Sequence, residues 1–345
     1  MKKVIAFLLA VCLMSGMLAG CAATTKANTA ESSNSSTEQT ATADESGTIA
    51  LVLLYDDNQA LEPCITAVEN VAKQHGDKVI TYGAGGDVAN VANCIEKAIS
   101  AGVKGIVLHN SDDISNAGAL QEAKDAGIPV AVIDARFKGD QSLVISQTAV
   151  NNYMAGYLCG EAMAKDLGGE GNVIMLEYTS NASWAERSKG FEDALAETNI
   201  SIIAHEEILA AVDENNTLVE NLLQRFDGSG TEINGIWGFA GGNAVGACAA
   251  LKAAGRDDIT VYCIDGSQME LDLVETGELK GTAYLNLYSI AYEGALDVYG
   301  ALEGNAPAAY YKMVDATMVT KENVSNYSNV VFTNDDYLPA VEVDE

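Results

Sequence analysis

The sequence predicts an α/β protein of two similar lobes, each a parallel sheet with helices on both faces. Three observations carry this. Short apolar runs such as Ile49-Ala50-Leu51-Val52-Leu53-Leu54 read as strands buried on both faces. Segments of helical period alternate with them at short spacing, which is the signature of parallel sheets. The alternation then restarts after a long helix from Asn152 to Leu167, with the same layout and spacing, so two lobes fit better than one long sheet.

In chain order, the first strand is followed by a helix with Leu61, Ile65, Val68 and Ala72 on one face. Pro63 suits its first turn, where no backbone N–H is missed. Lys78–Tyr82 is a strand, and Val88, Val91, Ile95 and Ile99 mark a second helix. Gly105–Leu108 is a strand ending at His109-Asn110, with a helix to Ala126 that stops at Gly127. Pro129–Ile133 is a strand ending at Asp134, and Leu143–Ser146 is expected as the fifth. The second lobe has strands at Val173–Leu176, Ile200–Ala204, Gly235–Trp237 and Thr260–Ile264. Its helices are expected near Ala185–Glu197, Asn215–Phe226, Asn243–Ala254 and Gln268–Thr276. Gly281–Leu287 reads as extended, Ser289–Leu302 as a helix and Tyr310–Val319 as one strand. Asn329–Glu345 is acidic and without pattern.

The chain has 345 residues, 48% hydrophobic and 20% charged, so its body is globular rather than disordered. The net charge of −30 repels nucleic acid and anionic headgroups, so a nucleic-acid partner is not expected. Met1-Lys2-Lys3 precedes an apolar run from Val4 to Leu18, too short to span a membrane and built like a secretory signal. Leu18-Ala19-Gly20-Cys21 resembles a bacterial lipobox, which implies cleavage after Gly20 and lipidation of Cys21. Ala22 to Gly47 is rich in Ser, Thr, Ala and Glu and reads as a flexible stalk. Cys64, Cys94, Cys159, Cys248 and Cys263 are odd in number, lack Cys-x-x-Cys spacing and sit in apolar patterns. They read as small hydrophobes rather than a disulfide or metal framework, and suggest a reducing habitat.

No catalytic constellation can be assembled. His75, His109 and His205 are far apart, with no His-Glu-x-x-His and no Gly-x-Ser-x-Gly. His109 ends a strand and either faces a cleft or is a hydrogen-bonded or surface histidine. Gly83-Ala84-Gly85-Gly86 departs from a phosphate-cradling spacing and reads as a plain loop. Ligands of parallel sheets bind beyond the carboxyl ends of strands. Those ends carry Asp134 in one lobe and Asp265 in the other, and each carboxylate can accept two hydroxyl donors. Helix capping or a solvated loop is the competing role. The Arg187 fork suits hydroxyl or carboxylate recognition, or a surface ion pair. Phe137, Trp184, Trp237 and Phe239 stand near strand ends and offer stacking faces. Core packing explains Trp237 equally well, while Trp184 is placed in a polar loop as a ligand wall.

From Thr48 to about Tyr327 the chain resembles the ribose-type periplasmic binding proteins, the substrate-binding components of sugar ABC importers. The likeness rests on Ile49-Ala50-Leu51-Val52, on Ala126-Gly127-Ile128-Pro129-Val130 leading to Asp134, and on Glu186-Arg187-Ser188-Lys189-Gly190-Phe191. It continues in Ala244-Val245-Gly246-Ala247, Ile264-Asp265-Gly266-Ser267, Glu275-Thr276-Gly277-Glu278-Leu279 and Val319-Thr320-Lys321-Glu322-Asn323-Val324. It implies two Rossmann-like lobes joined by a three-segment hinge, the type I periplasmic binding protein fold, with a ligand clamped between them. The implied divisions are residues 1–20 as signal, 21–47 as lipidated stalk, 48–149 plus 286–306 as the N-terminal lobe, 150–285 plus 307–327 as the C-terminal lobe, and 328–345 as an acidic tail. Hinges are expected near Val150, Leu285 and Pro307.

By the same likeness Asn58, Asp134 and Asp265 match ligand contacts, while the pocket departs elsewhere. Ala60 and Leu61 stand where paired aromatics are expected, Ala185 replaces the first arginine and leaves Arg187, and Ala240 replaces an asparagine. Leu285 or Asn286 takes the last polar position. The implied function is binding of a small hydroxylated ligand, sugar or polyol, without catalysis, cofactor or metal, in a monomer outside the cytoplasm. Its partners would be an ABC permease and, through the lipid, the membrane. A sensory protein serving a receptor kinase is an alternative, as is a nucleoside ligand. A cationic amine is another, since Asp56, Asp57, Asp134 and Asp265 could share a cleft.

Overall fold

The computed structural model describes residues 47–55, 61–109, 115–328, 330, 332–333 and 337–342. The signal, Cys21, most of the stalk, and Asp56 to Ala60 lie outside the described residues.

The first lobe is built on β1 (Thr48–Leu53), β2 (Lys78–Gly83), β3 (Ile106–His109), β4 (Val130–Asp134) and β5 (Ser146–Val150). Ile49 to Leu53 are all fully buried, as a strand covered on both faces requires. Helices α1 (Glu62–Gln74), α2 (Val88–Ser100) and α3 (Ala117–Asp125) connect them. The second lobe repeats the plan with β6 (Glu170–Glu177), β7 (Asn199–Glu207), β8 (Gly235–Gly238), β9 (Thr260–Asp265) and β10 (Gly281–Tyr284). Its helices are α4 (Asn152–Asp166), α5 (Ala182–Leu195), α6 (Val212–Ser229), α7 (Gly241–Ala254) and α8 (Gln268–Thr276). The chain then returns through α9 (Leu287–Leu302), β11 (Tyr311–Val314), β12 (Thr317–Thr320) and the short β13 (Val341–Glu342).

The sheets run β13-β11-β5-β4-β3-β1-β2 and β12-β10-β9-β8-β6-β7. Pairing is parallel except at β13 on β11 and β12 on β10. The lobes therefore share one topology, in which β4 corresponds to β9 and β3 to β8. One apolar cluster runs from Leu51 and Ile133 through Val150 and Leu285 to Trp237 and Ile264, so the core is continuous through the hinge.

Three features differ from the sequence expectation. The fifth strand is Ser146–Val150 rather than Leu143–Ser146, because a one-turn 3-10 helix at Gln141–Leu143, capped by Asp140, takes up Leu143, and Val144 and Ile145 lead from it into the strand. The strand itself buries Ser146, Gln147 and Thr148, and polar core residues carry no apolar signal. Gln147 is satisfied by the Phe137 N–H at 2.8 Å and by the Tyr310 hydroxyl.

The stretch Tyr310–Val319, expected as one strand of the second lobe, is two strands in different sheets. Residues 307–314 thus belong with the first lobe, and the third crossing is Asp315-Ala316, not Pro307. Asp315 there accepts a hydrogen bond from Asn151, the residue of the first crossing, at 2.9 Å. The tail is also placed in part: Phe332 stacks on Tyr288, Tyr337 on Tyr292, and Val341–Glu342 extends the first sheet. Its anchors are isolated apolar residues without period, so no pattern announces them.

Helices α4 and α5 cross so closely that each needs a glycine. A Cβ on Gly156 would run into the Arg187 carbonyl, and one on Gly190 into the Tyr153 carbonyl. This reciprocal contact sets Arg187 beside the first crossing. Gly156→Ala is expected to destabilise the protein by about 1–3 kcal/mol through overpacking, read as a lower midpoint in denaturant unfolding.

Candidate functional site

Asp134 and Asp265 occupy corresponding positions, the last residues of β4 and β9. Both have left-handed backbone angles, φ +75° and +122°, and among the described residues they are the only non-glycines that do. Such conformations cost on the order of 1–3 kcal/mol and persist where the surroundings over-determine them. The turn at each strand end swings the carboxylate out beyond the sheet, where ligands of parallel sheets lie.

Each carboxylate meets a basic side chain. His109, the last residue of β3, places Nε2 3.1 Å from Asp134 Oδ2. Its Nδ1 is buried and has no partner among the described residues. Asp265 Oδ1 accepts from Arg187 Nη1 at 3.0 Å, and Oδ2 accepts from the Gly241 N–H at 3.1 Å. Arg187 is itself held by Asn152 Oδ1 at 2.7 Å from Nε and by the Phe239 carbonyl at 2.9 Å from Nη1. Arg187 is 7% exposed and Asp265 35%, so the arginine is fixed scaffold while the carboxylate reaches solvent.

The two carboxylates titrate in opposite directions. Burial works against ionisation of Asp134, but His109 beside it, helped by Arg187, outweighs that and holds it below the ordinary range. Burial lifts Asp265 above its ordinary value. Arg187 and the Gly241 N–H oppose this, and the charge of Asp134 adds to it. Asp134 thus senses Arg187, and Asp265 senses Asp134, so the groups of the two lobes share one electrostatic space.

The second lobe adds an aromatic wall. Trp184 lies 5.3 Å from Phe239 and 5.8 Å from Tyr178, centroid to centroid. Trp184 is in the first turn of α5 rather than in a loop, because Asn181 caps the helix earlier than apolar spacing suggests, accepting from the N–H groups of Ser183 and Trp184. Tyr178 follows β6 directly. Its strand-end position was the available signal, and sequence reasoning passed over it.

Two expected wall residues are elsewhere. Trp237 is fully buried and stacks on Phe191 at 4.7 Å, so it packs the lobe. It sits in mid-strand β8, where an inward side chain meets helices rather than the cleft. Phe137 is 1% exposed in the first-lobe core, past the turn that Asp134 makes. Asn286 lies at the second crossing, 9% exposed, and its side chain caps α9 by accepting from Ser289 N–H. Asp57 and Asn58 lie outside the described residues. Among the described residues no group of three His, Cys, Asp or Glu gathers to hold a metal.

Comparison with known proteins gives the family and the fold. Residues 49–306 match the model of the periplasmic binding protein domain. A D-apiose import binding protein of Paraburkholderia graminis is 28% identical over 82% of this chain and 90% of its own length. A xylitol-binding protein of Mycolicibacterium smegmatis is 26% identical over 79% of this chain and 77% of its own. Among solved structures, a sugar-binding protein of a sugar ABC transporter from Bacillus halodurans superposes with a TM-score of 0.74 at 25% identity, covering 81% of this chain and 99% of its own.

The Asp134–His109 pair sets an acid limit. In the unfolded chain Asp134 regains its ordinary 3.8, above the folded value. The unfolded state therefore takes up the proton first. The ionised carboxylate stabilises the fold above that pH, and its contribution is lost as pH falls through the folded value. His109→Gln removes the charge partner and is expected to raise the midpoint of acid unfolding by roughly half a pH unit, followed by circular dichroism.

Proposed function

This chain belongs to the periplasmic binding protein domain family, and from that premise we propose that it is the solute-binding component of an ABC importer for a small neutral sugar or polyol. The observation that carries the ligand class is that both carboxylates already have basic partners. Asp134 and Asp265 end corresponding strands, one in each lobe, and each is already bonded to a basic side chain, His109 for Asp134 and Arg187 for Asp265. A cationic amine would compete with Arg187 for Asp265 and would displace the His109 contact of Asp134. A neutral hydroxylated molecule can donate to the remaining lone pairs without disturbing them.

Trp184 and Tyr178, backed by Phe239, suit the apolar face of such a molecule. The relatives named for D-apiose and xylitol lie in the same ligand class.

Binding is a population shift. A ligand that touches Asp134 and Asp265 together gains both contacts only when the lobes are closed, so it favours the closed form by that difference. The three crossings at Asn151, at Leu285-Asn286 and at Asp315-Ala316 are the places where backbone angles would change. A protein that binds and releases must deliver to something else. The basic start, apolar run and Leu-Ala-Gly-Cys of residues 1–21 support export and anchoring through a lipid on Cys21, close to a permease.

A thermal-shift screen against D-apiose, D-ribose, xylitol, nucleosides and amines tests the ligand class. A true ligand at a hundred times its Kd adds about 2.7 kcal/mol of stability. Asp265→Ala is expected to weaken its binding by about 10- to 100-fold, from the loss of charged hydrogen bonds. A shift with amines alone would sink the sugar reading. Cys21→Ala is expected to move the protein from the membrane fraction into the medium or periplasm. Retention in the membrane would mean that the leader was misread.

A further inference from the structure

Behind Asp265 stands a second carboxylate that ligand cannot reach. Glu270, in the first turn of α8, is 1% exposed. Five donors converge on it. Oε2 accepts from the Gly266 N–H at 2.7 Å, the Thr282 hydroxyl at 2.8 Å and the Cys263 thiol at 3.4 Å. Oε1 accepts from the Ser267 hydroxyl at 2.7 Å and the Ser267 N–H at 3.1 Å. The carboxylate lies against Gly241, where any Cβ would collide with it. Gly241 is also the residue whose N–H holds Asp265 Oδ2. A carboxylate buried this deeply is costly, and no cation is bonded to it among the described residues. Ordinary helix capping needs only an N–H or two at the surface.

We propose that Glu270 is the positioning residue of Asp265. It grips the two N–H groups that follow Asp265 and abuts the one that holds its side chain, and so fixes the strained turn that aims Asp265 into the cleft. The backbone supports this. Asp265 at φ +122° and Gly266 at φ +82° form a conformation that a chain without external anchors would leave. The anchors are the Leu285 N–H on the Asp265 carbonyl, Arg187 and Gly241 on its side chain, and Glu270 on the next two residues.

Burial, reinforced by the charge of Asp265, pushes the Glu270 carboxyl up to about 7, against the pull of its donors. The titratable groups around it are Asp265 and Cys263 of β9 and the buried thiol of Cys159 on α4, which burial keeps neutral, with Arg187 of α5 beyond Asp265. The thiol of Cys263 is pushed up by burial and then by Glu270, and stays neutral. β10 and α7 present Thr282 and Gly241, which do not titrate. A protonated Glu270 is a weaker acceptor for the donors that converge on it, so the turn loosens on acidification.

The ligand arm of the test rests on the sugar reading, so a second arm is independent of it. In the ligand-free full chain, the amide NMR signals of Gly266 and Ser267 are expected to move with a midpoint of about 7, and to be flat in Glu270→Gln. Thr282→Val, a milder variant that deletes one donor to the ionised form, is expected to raise the midpoint. Calorimetry with D-apiose, D-ribose and xylitol is expected to show binding about tenfold weaker at pH 6 than at pH 8 in wild type. The Gln variant should bind about tenfold more weakly than wild type at the higher pH, with no pH dependence. Wild-type amides that stay still overturn the proposal, as does a Gln variant that binds like wild type at both pH values. Titrating amides with none of the three sugars bound at either pH uphold the role of Glu270 and count against the sugar reading instead.

Discussion

The structure depends on two aspartates held where aspartates do not rest. At the ends of β4 and β9 the chain leaves the sheet through left-handed residues, and glycine would serve there at less cost. Aspartate is used instead, so the surroundings must hold it. In the first lobe the anchor on the side chain is His109, from the neighbouring strand end. In the second it is a denser set, Arg187, the Gly241 N–H and the Glu270 turn. Strain kept by so many bonds means that these carboxylates are already aimed before any ligand arrives, and a preorganised group loses little freedom on binding.

The lobes share topology but divide the work unequally. The second lobe owns the aromatic wall, the buried arginine and the more heavily anchored aspartate. The first contributes Asp134 with His109, and its Leu61 is buried in the core. On the reading proposed above, the apolar face of a ligand would be met by the second lobe, and the first would close over it with polar grips. Arg187 links this to the hinge. It is bonded to Asn152 directly after the first crossing, and its backbone carbonyl is the surface on which Gly156 of α4 packs. A shift of α5 is therefore felt at once in the segment that joins the lobes.

Much of this was legible in residue order, for physical reasons. Buried parallel strands are unbroken apolar runs, so β1, β3, β4, β8 and β9 announced themselves. Strand ends are where such sheets bind, so Asp134 and Asp265 stood out without any geometry. What stayed hidden depended on burial of polar groups or on contacts distant in sequence. β5 buries Ser146, Gln147 and Thr148, and so looked like loop. Trp237 and Phe137 lie close in sequence to strand ends but face inward, a distinction set by strand parity and turn direction rather than composition. β11 and β12 are two residues apart, and only sheet membership separates them. Tyr178 was marked only by its strand-end position, and the Ser267-to-Glu270 spacing marks a helix cap without showing that Glu270 also grips the turn after Asp265.

The anchors also explain why the protein can be a switch without being soft. Closure must change backbone angles at three short crossings while both strained turns stay fixed. The continuous core through Val150 and Leu285 resists shear between the lobes, and the Asn151–Asp315 bond ties the first crossing to the third. The tail stacks Phe332 and Tyr337 on α9 just past the second crossing. Bending is thus confined to a few residues, and the energy that a ligand would supply by joining Asp134 to Asp265 would go into closing the cleft rather than into deforming the lobes.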